Sequence, residues 1–231
     1  MGKRIISQAR GHGSPSYQAR KRAFIYKIKY PQHMGTALIL KIIHSAGHSA
    51  PLLKLKAHHE ICYNPAFIGA VEGAEITIGT GTTPGSIVYL KDVPVATSIY
   101  NIENNPGDGG KMIRTAGSSA TLSKKLEHNK IAVLMPNKHE IILSGDCKAT
   151  IGVIAGGGKN LKPFFKAGPR WHKMKARNKL YPRTSAVKMN AIDHPFGSGR
   201  GKRIKPKIAK RNAPAGARVG HIRPRRTGRR K

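Results

Sequence analysis

The sequence predicts an all-β protein, with a body of two small β-barrels between extended basic arms at its N- and C-terminal ends. Three observations carry this. The 231 residues hold 43 Lys+Arg against 10 Asp+Glu, a net charge of +33, and the charge is concentrated at the two ends. Residues 1–30 contain eight cations and no acid, and residues 31–150 contain eleven cations and nine acids. Residues 151–231 contain 24 cations and a single acid, Asp193. Only the nearly neutral middle has a core-forming pattern, and its apolar residues come in short runs parted by Gly, Pro or Asn.

The runs follow in order. Thr36–Ile43 (TALILKII), Pro51–Ala57 (PLLKLKA), Glu75–Gly79 (EITIG), Ser86–Leu90 (SIVYL) and Thr97–Glu103 (TSIYNIE) are rich in β-branched and aliphatic residues and predict strands. Lys130–Ser144 predicts a hairpin turning at Pro136-Asn137-Lys138, and Lys148–Ile154 a closing strand. Many short strands at this spacing build a sandwich or small barrels rather than βαβ units. The middle is long enough for two barrels, with the change of unit near Ser98–Gly110. In the C-terminal arm a short helix is expected over Arg170–Lys179, confined by Pro163, Pro169 and Pro182. From Phe196 onward Gly, Pro, Lys and Arg dominate. Such a stretch cannot offset an ordering cost of roughly 1–2 kcal/mol per residue by itself, so it is expected to order only against a phosphate-rich partner.

Charge of this size opposes compaction unless a polyanion neutralises it, which makes nucleic acid the leading partner. An anionic membrane is the weaker alternative. The longest apolar run is too short to span, and no basic amphipathic helix stands out. The N-terminus starts positive but lacks the apolar segment of a secretory signal. Two cysteines, Cys62 and Cys147, make no disulfide framework and fit small core positions in a reducing compartment.

Three chemistries can be tested on spacing. A phosphate loop needs Gly, four residues, then Gly-Lys-Ser/Thr. Counting back from Gly110-Lys111, Gly158-Lys159 and Gly201-Lys202, the first glycine position holds Asn105, Val153 and Phe196, and no Ser or Thr follows. The glycines therefore serve tight turns or close approach to an RNA backbone. A zinc site would draw on His44, His48, His58, His59 and Cys62, but only one cysteine is near and the His-x-x-x-His pair falls on a loop. No metal or other cofactor is expected. A hydrolase would use Asp193-His194 with Ser185 or Ser198, yet no nucleophile elbow is present and the arm is otherwise without acids. The alternative places Asp193 on backbone N–H groups of a turn and His194 against RNA.

The basic runs are the strong signal. Lys21–Tyr30 interleaves cations with Phe24, Tyr26 and Tyr30, and Phe164–Arg183 does so with Phe164, Phe165, Trp171 and Tyr181. Cations neutralise phosphate while aromatics stack on exposed bases or anchor an arm to the body, a role expected of Trp171. A free-standing nucleic-acid condensing protein would share this composition.

Several blocks together resemble one family. "GKRIISQARGHGSPSY", "VPVATSIYNIENNPGDGGKMIRTAGSSATL", "GDCKATIGVIAGGGKNLKPFFKAGPRWHK", "VKMNAIDHPFGSGRGK" and "RNAPAGARVGHIRPRRTGRRK" are similar to the universal large-subunit ribosomal protein two family in its archaeal and eukaryotic-type form. The chain departs from it at Val95-Ala96, where the family has a glycine-containing turn, at Lys188, Ala191, Phe196 and Ser198, and in a shortened Ser49–Phe67 stretch. The resemblance implies a basic arm over residues 1–34, an OB-fold over 35–96, an SH3-like barrel over 97–170 and a basic extension over 171–231. It implies a structural, non-enzymatic place in the ribosome of the cytoplasm, bound to large-subunit rRNA and neighbouring ribosomal proteins. It further implies a surface toward the small subunit and support for the peptidyl-transferase region by Asp193 and His194. Expected rRNA contacts in the N-terminal arm are Lys3, Arg4, Arg10, His12, Arg20, Lys21 and Arg22. In the second barrel and the helix they are Arg114, Lys159, Lys162, Lys166, Arg170, His172, Lys173 and Arg177. Farther on they are Asn190, His194, Arg200, Lys202, Arg203, Lys205, Lys207, Arg225 and Arg226.

Overall fold

In the computed structural model, which describes residues 2–202 and 208–223, ten strands join in one mostly antiparallel sheet. They are β1 (Gly35–Ile43), β2 (Leu52–Ala57), β3 (Glu60–Pro65), β4 (Glu75–Gly79), β5 (Ile87–Tyr89), β6 (Ser98–Tyr100), β7 (Ala120–Leu126), β8 (Lys130–Leu134), β9 (Glu140–Ser144) and β10 (Lys148–Ile151). The ladder runs β3-β2-β1-β4-β5-β10-β6-β7-β8-β9, open at both edges. Among these ten strands only β4 and β5 pair in parallel. All seven predicted runs form strands. The hairpin closes at the predicted turn, with Met135 N–H bonded to His139 O at 2.9 Å. The closing strand stops at Ile151, where Gly152 adopts φ 116°.

The all-β expectation holds, and the strands of both units belong to one continuous ladder. β10 causes the join, because it pairs with β5 on one side and β6 on the other. The cores nevertheless stay distinct. Ala37, Ile39, Leu53, Leu55, Ile76 and Ile78 pack in the first, and Val93, Ile99, Leu122, Ile131, Val133 and Ala149 in the second. Successive strand residues point to opposite faces, so Ile87 of β5 enters the first core and its neighbour Val88 the second. A polar seam adds to the join. Tyr30 donates from its hydroxyl to Asn101 O at 2.6 Å and sits 2.9 Å from Thr150 Oγ1, while Tyr100 donates to Pro65 O at 3.1 Å.

Residues 21–167 make up this unit, and residues 1–20 with 168–231 make up another. The second contains α1 (Ile6–Gly11) and all but the first residue of α2 (Ala167–Ala176). α2 starts three residues before its predicted position because Pro169 falls in the first turn, where a missing N–H costs nothing. It ends before Lys179 because Asn178 turns left-handed at φ 52°, with the Lys179 N–H bonded to Met174 O at 2.9 Å. Residues 208–223 have more local order than composition suggests. Ala209 bridges Ile222 and accepts the Arg223 N–H at 3.1 Å.

Candidate nucleic-acid interface

Within the arm unit the two ends of the chain meet. The Lys3 N–H donates to Ile192 O at 2.9 Å, and its Nζ lies 3.5 Å from the Asp193 carboxylate. Gln8 caps α1 by accepting the Ile5 N–H at 3.0 Å, and Arg4 reaches the His12 ring at 2.8 Å. A Cβ on Gly216 would meet the Gln8 amide, so the tail also passes close to α1.

Residues 189–198 form a tight backbone knot. Asn190 O accepts the N–H groups of Asp193 and His194 at 3.0 and 3.2 Å, His194 O accepts the Gly197 N–H at 2.8 Å, and Met189 O accepts the Ser198 N–H at 3.1 Å. Gly197 is required, since a side chain there would run into the Asn190 carbonyl. His194 Nδ1 accepts the Phe196 N–H at 3.0 Å, which leaves its hydrogen on Nε2. The Asp193 carboxylate faces Lys3 instead. Among the described residues no hydrogen bond joins His194 to Asp193, Ser185 or Ser198, so the pair is not built as an oriented base. Asp193 also differs from the expectation of a carboxylate on backbone N–H groups: its own N–H makes the turn, and its carboxylate holds a cation.

The predicted cations take varied places. Lys3, Arg4, Arg10, His12, Arg20, Arg200 and Lys202 are exposed in the arm unit, and Lys21, Arg22, Lys159, Lys162 and Lys166 are exposed on the body. α2 and its flank carry Arg170, His172, Lys173 and Arg177, with Arg170 stacked 5.2 Å from the Tyr181 ring centroid. Arg114 is half-buried, and that burial lowers its guanidinium pKa from the ordinary value. Asn190 works through its carbonyl in the knot. Arg203, Lys205, Lys207, Arg225 and Arg226 lie outside the described residues.

The aromatics of Lys21–Tyr30 are engaged by protein: Tyr30 is buried in the first core, Tyr26 packs 4.9 Å from Tyr63, and Phe24 meets His48 edge-on at 5.4 Å. Trp171 is 38% exposed, its ring edge-on to His172.

The glycine loop Asn104–Gly110 is organised by its own acids. Buried Glu103 accepts the N–H groups of Gly107, Gly109 and Lys148 at 3.2, 3.0 and 2.8 Å. Asp108 accepts those of Asn104, Asn105 and Gly110. Where a phosphate loop would aim N–H groups at a ligand, carboxylates already occupy them. Cys62 lies in the first core, and burial pushes its thiol up to about 12. His48 Nδ1 sits 2.7 Å from Ser45 Oγ. Among the described residues no group of three His, Cys, Asp or Glu could hold a metal ion, and no helix is long and apolar enough to cross a membrane.

The family described as Ribosomal Proteins L2, C-terminal domain, matches residues 83–216, from β5 through the His194 knot into the tail. The chain is 41% identical over 244 residues to the large ribosomal subunit protein uL2 of Archaeoglobus fulgidus, covering 99% of each. The chain belongs to the ribosomal protein uL2 family. It is also similar to the uL2 proteins of Methanococcoides burtonii, at 40% identity over 238 residues, and Methanothermobacter thermautotrophicus, at 37% over 242, each covered in full. These uL2 relatives match the arms as well as the body, and all three are archaeal.

Sequence reasoning missed two features of this uL2 chain. Arg183 lines a cavity with Arg10 and His194, and nothing in its local pattern marks it among so many cations. Phe196 packs against Gly220, whose Cβ would meet its ring at 2.7 Å; a large aromatic in so glycine-rich a stretch was the available signal.

Proposed function

We propose that this chain is a structural constituent of the large ribosomal subunit and binds its rRNA chiefly through the paired terminal arms. The observation that carries this is the charge layout: 32 cations and one acid in residues 1–30 and 151–231, with the one acid already answered by Lys3. Such a surface is stable only against a phosphate-rich partner, and the uL2 relatives are named as large-subunit proteins. The role is structural, and the protein is not an enzyme. The separate cores fit an OB-fold before an SH3-like barrel, although one ladder joins them. The cations named above are the proposed rRNA contacts. Neighbouring ribosomal proteins and a small-subunit surface are the further proposed partners, and the His194 knot is proposed to support the peptidyl-transferase region as a positioning element.

Sedimentation of cell lysate in a salt gradient tests the reading. The chain should co-migrate with intact large subunits; recovery on free RNA or DNA and absence from those fractions would establish a free-standing condensing protein instead.

A further inference from the structure

We propose that the cavity beside His194 receives one unstacked rRNA nucleotide, with its phosphate on Arg10 and Arg183 and its base against Ile6, Met189 and the His194 ring. The proposal rests on the rRNA-binding reading and adds a defined subsite to it.

Size and chemistry both favour this ligand. The cavity holds about 340 Å³ and is built wholly within the arm unit, from α1, from residues 180–189 and from His194. That is at the small end of ligand pockets, which begin at roughly 300 Å³; it suits one nucleotide and excludes a duplex or a helix. Among the described residues no carboxylate lines it. Two guanidinium groups do, and among the described residues neither is in a hydrogen bond or an ion pair. Guanidinium is planar and binds phosphate in a two-pronged fashion, so a pair of them without protein partners is matched to a phosphate ester.

The remaining wall tells a nucleotide from a bare anion. Ser7, Thr184 and Ser185 bring hydroxyls that make no hydrogen bond among the described residues, and Ser185 does not cap the 3₁₀ turn that follows it. These suit a ribose, whose 2′-hydroxyl both donates and accepts. Ile6 and Met189 supply apolar surface that inorganic phosphate would not use. Because His194 Nδ1 is taken by the Phe196 N–H, Nε2–H remains as a donor, and the ring offers a face on which a base can stack.

Photocross-linking of the full-length protein to 4-thiouridine 5′-monophosphate tests the site. Cross-links are expected in segments 5–10 and 180–189. Arg183 is exposed, so Arg183→Ala leaves packing intact, and it should cut the yield about tenfold. The charge-matched Arg211→Ala, outside the cavity, should leave it unchanged. Uridine monophosphate should compete better than either uridine or inorganic phosphate. Cross-links scattered along the arm, equal losses in both variants, or equal competition by inorganic phosphate would each overturn the proposal. Titration of rRNA separates this from the reading beneath it. If wild type and Arg183→Ala both bind rRNA with a steep salt dependence while the cross-link fails, the subsite alone is wrong; loss of that dependence in wild type removes the rRNA reading itself.

Discussion

Ala96 occupies a left-handed conformation at φ 67° with its N–H bonded to Leu122 O at 2.8 Å. Ser198 is likewise left-handed, at φ 63°. Both residues hold a backbone conformation that favours glycine. An L-residue there costs about 1–2 kcal/mol, partly offset by the entropy that glycine loses on folding. Ala96→Gly should therefore stabilise the body by about 0.5–1 kcal/mol, measured by chemical denaturation; destabilisation would mean the turn is not strained. His194 gives a second prediction. Its Nδ1 bond to the Phe196 N–H is worth about 1 kcal/mol, so His194→Ala should speed exchange of that amide about fivefold, with the melting of the body unchanged. His194→Asn, whose side-chain oxygen can accept the same N–H, should recover protection. Equal protection in wild type and alanine variant would remove the positioning role assigned to this ring. The sequence placed His194 in an acid-poor arm and argued against catalysis. It did not reveal that Asp193 turns to Lys3, because that contact spans the length of the chain.

Strand by strand, the apolar runs were legible and the amphipathic ones were not. β1, β4 and β5 show themselves through Ile, Leu and Val, whereas β3 (EICYNP) and β7 (ATLSKKL) mix polar and charged residues. β3 is an edge strand whose buried residues include the polar Asn64, and the last three residues of β7 are exposed, so neither strand presents a continuous apolar run or a clean alternation. The single ladder was also hidden, since β10 pairs with strands roughly 50–60 residues earlier and no local pattern encodes such a choice. Its consequence is testable. Ile87 is buried in the first core and Ile99 in the second, and truncating either to alanine should cost about 2–5 kcal/mol. With one sheet shared, each variant lowers a single common unfolding transition; two separated transitions would show that the units melt independently.

For the molecule as a whole, the neutral body folds around its cores and the charge is carried outside them. Burial pushes the thiols of Cys62 and Cys147 up to about 12 and about 11. Both folded values exceed the ordinary 9.0, so the stability from these neutral thiols is full below that pH and is lost as pH climbs toward 11–12. At pH near 8 both cysteines should react with iodoacetamide only at the rate of body unfolding, and together; fast reaction of either in the folded protein would contradict the burial. The arms are where composition was most informative, because 24 cations against one acid in residues 151–231 leave few roles other than holding polyanion. The arms are proposed to bind by neutralising rRNA phosphates, and the salt dependence of binding to large-subunit rRNA measures this directly. With about ten phosphates neutralised, log K should fall against log salt with a slope of roughly −7 to −9. A slope near zero would contradict it.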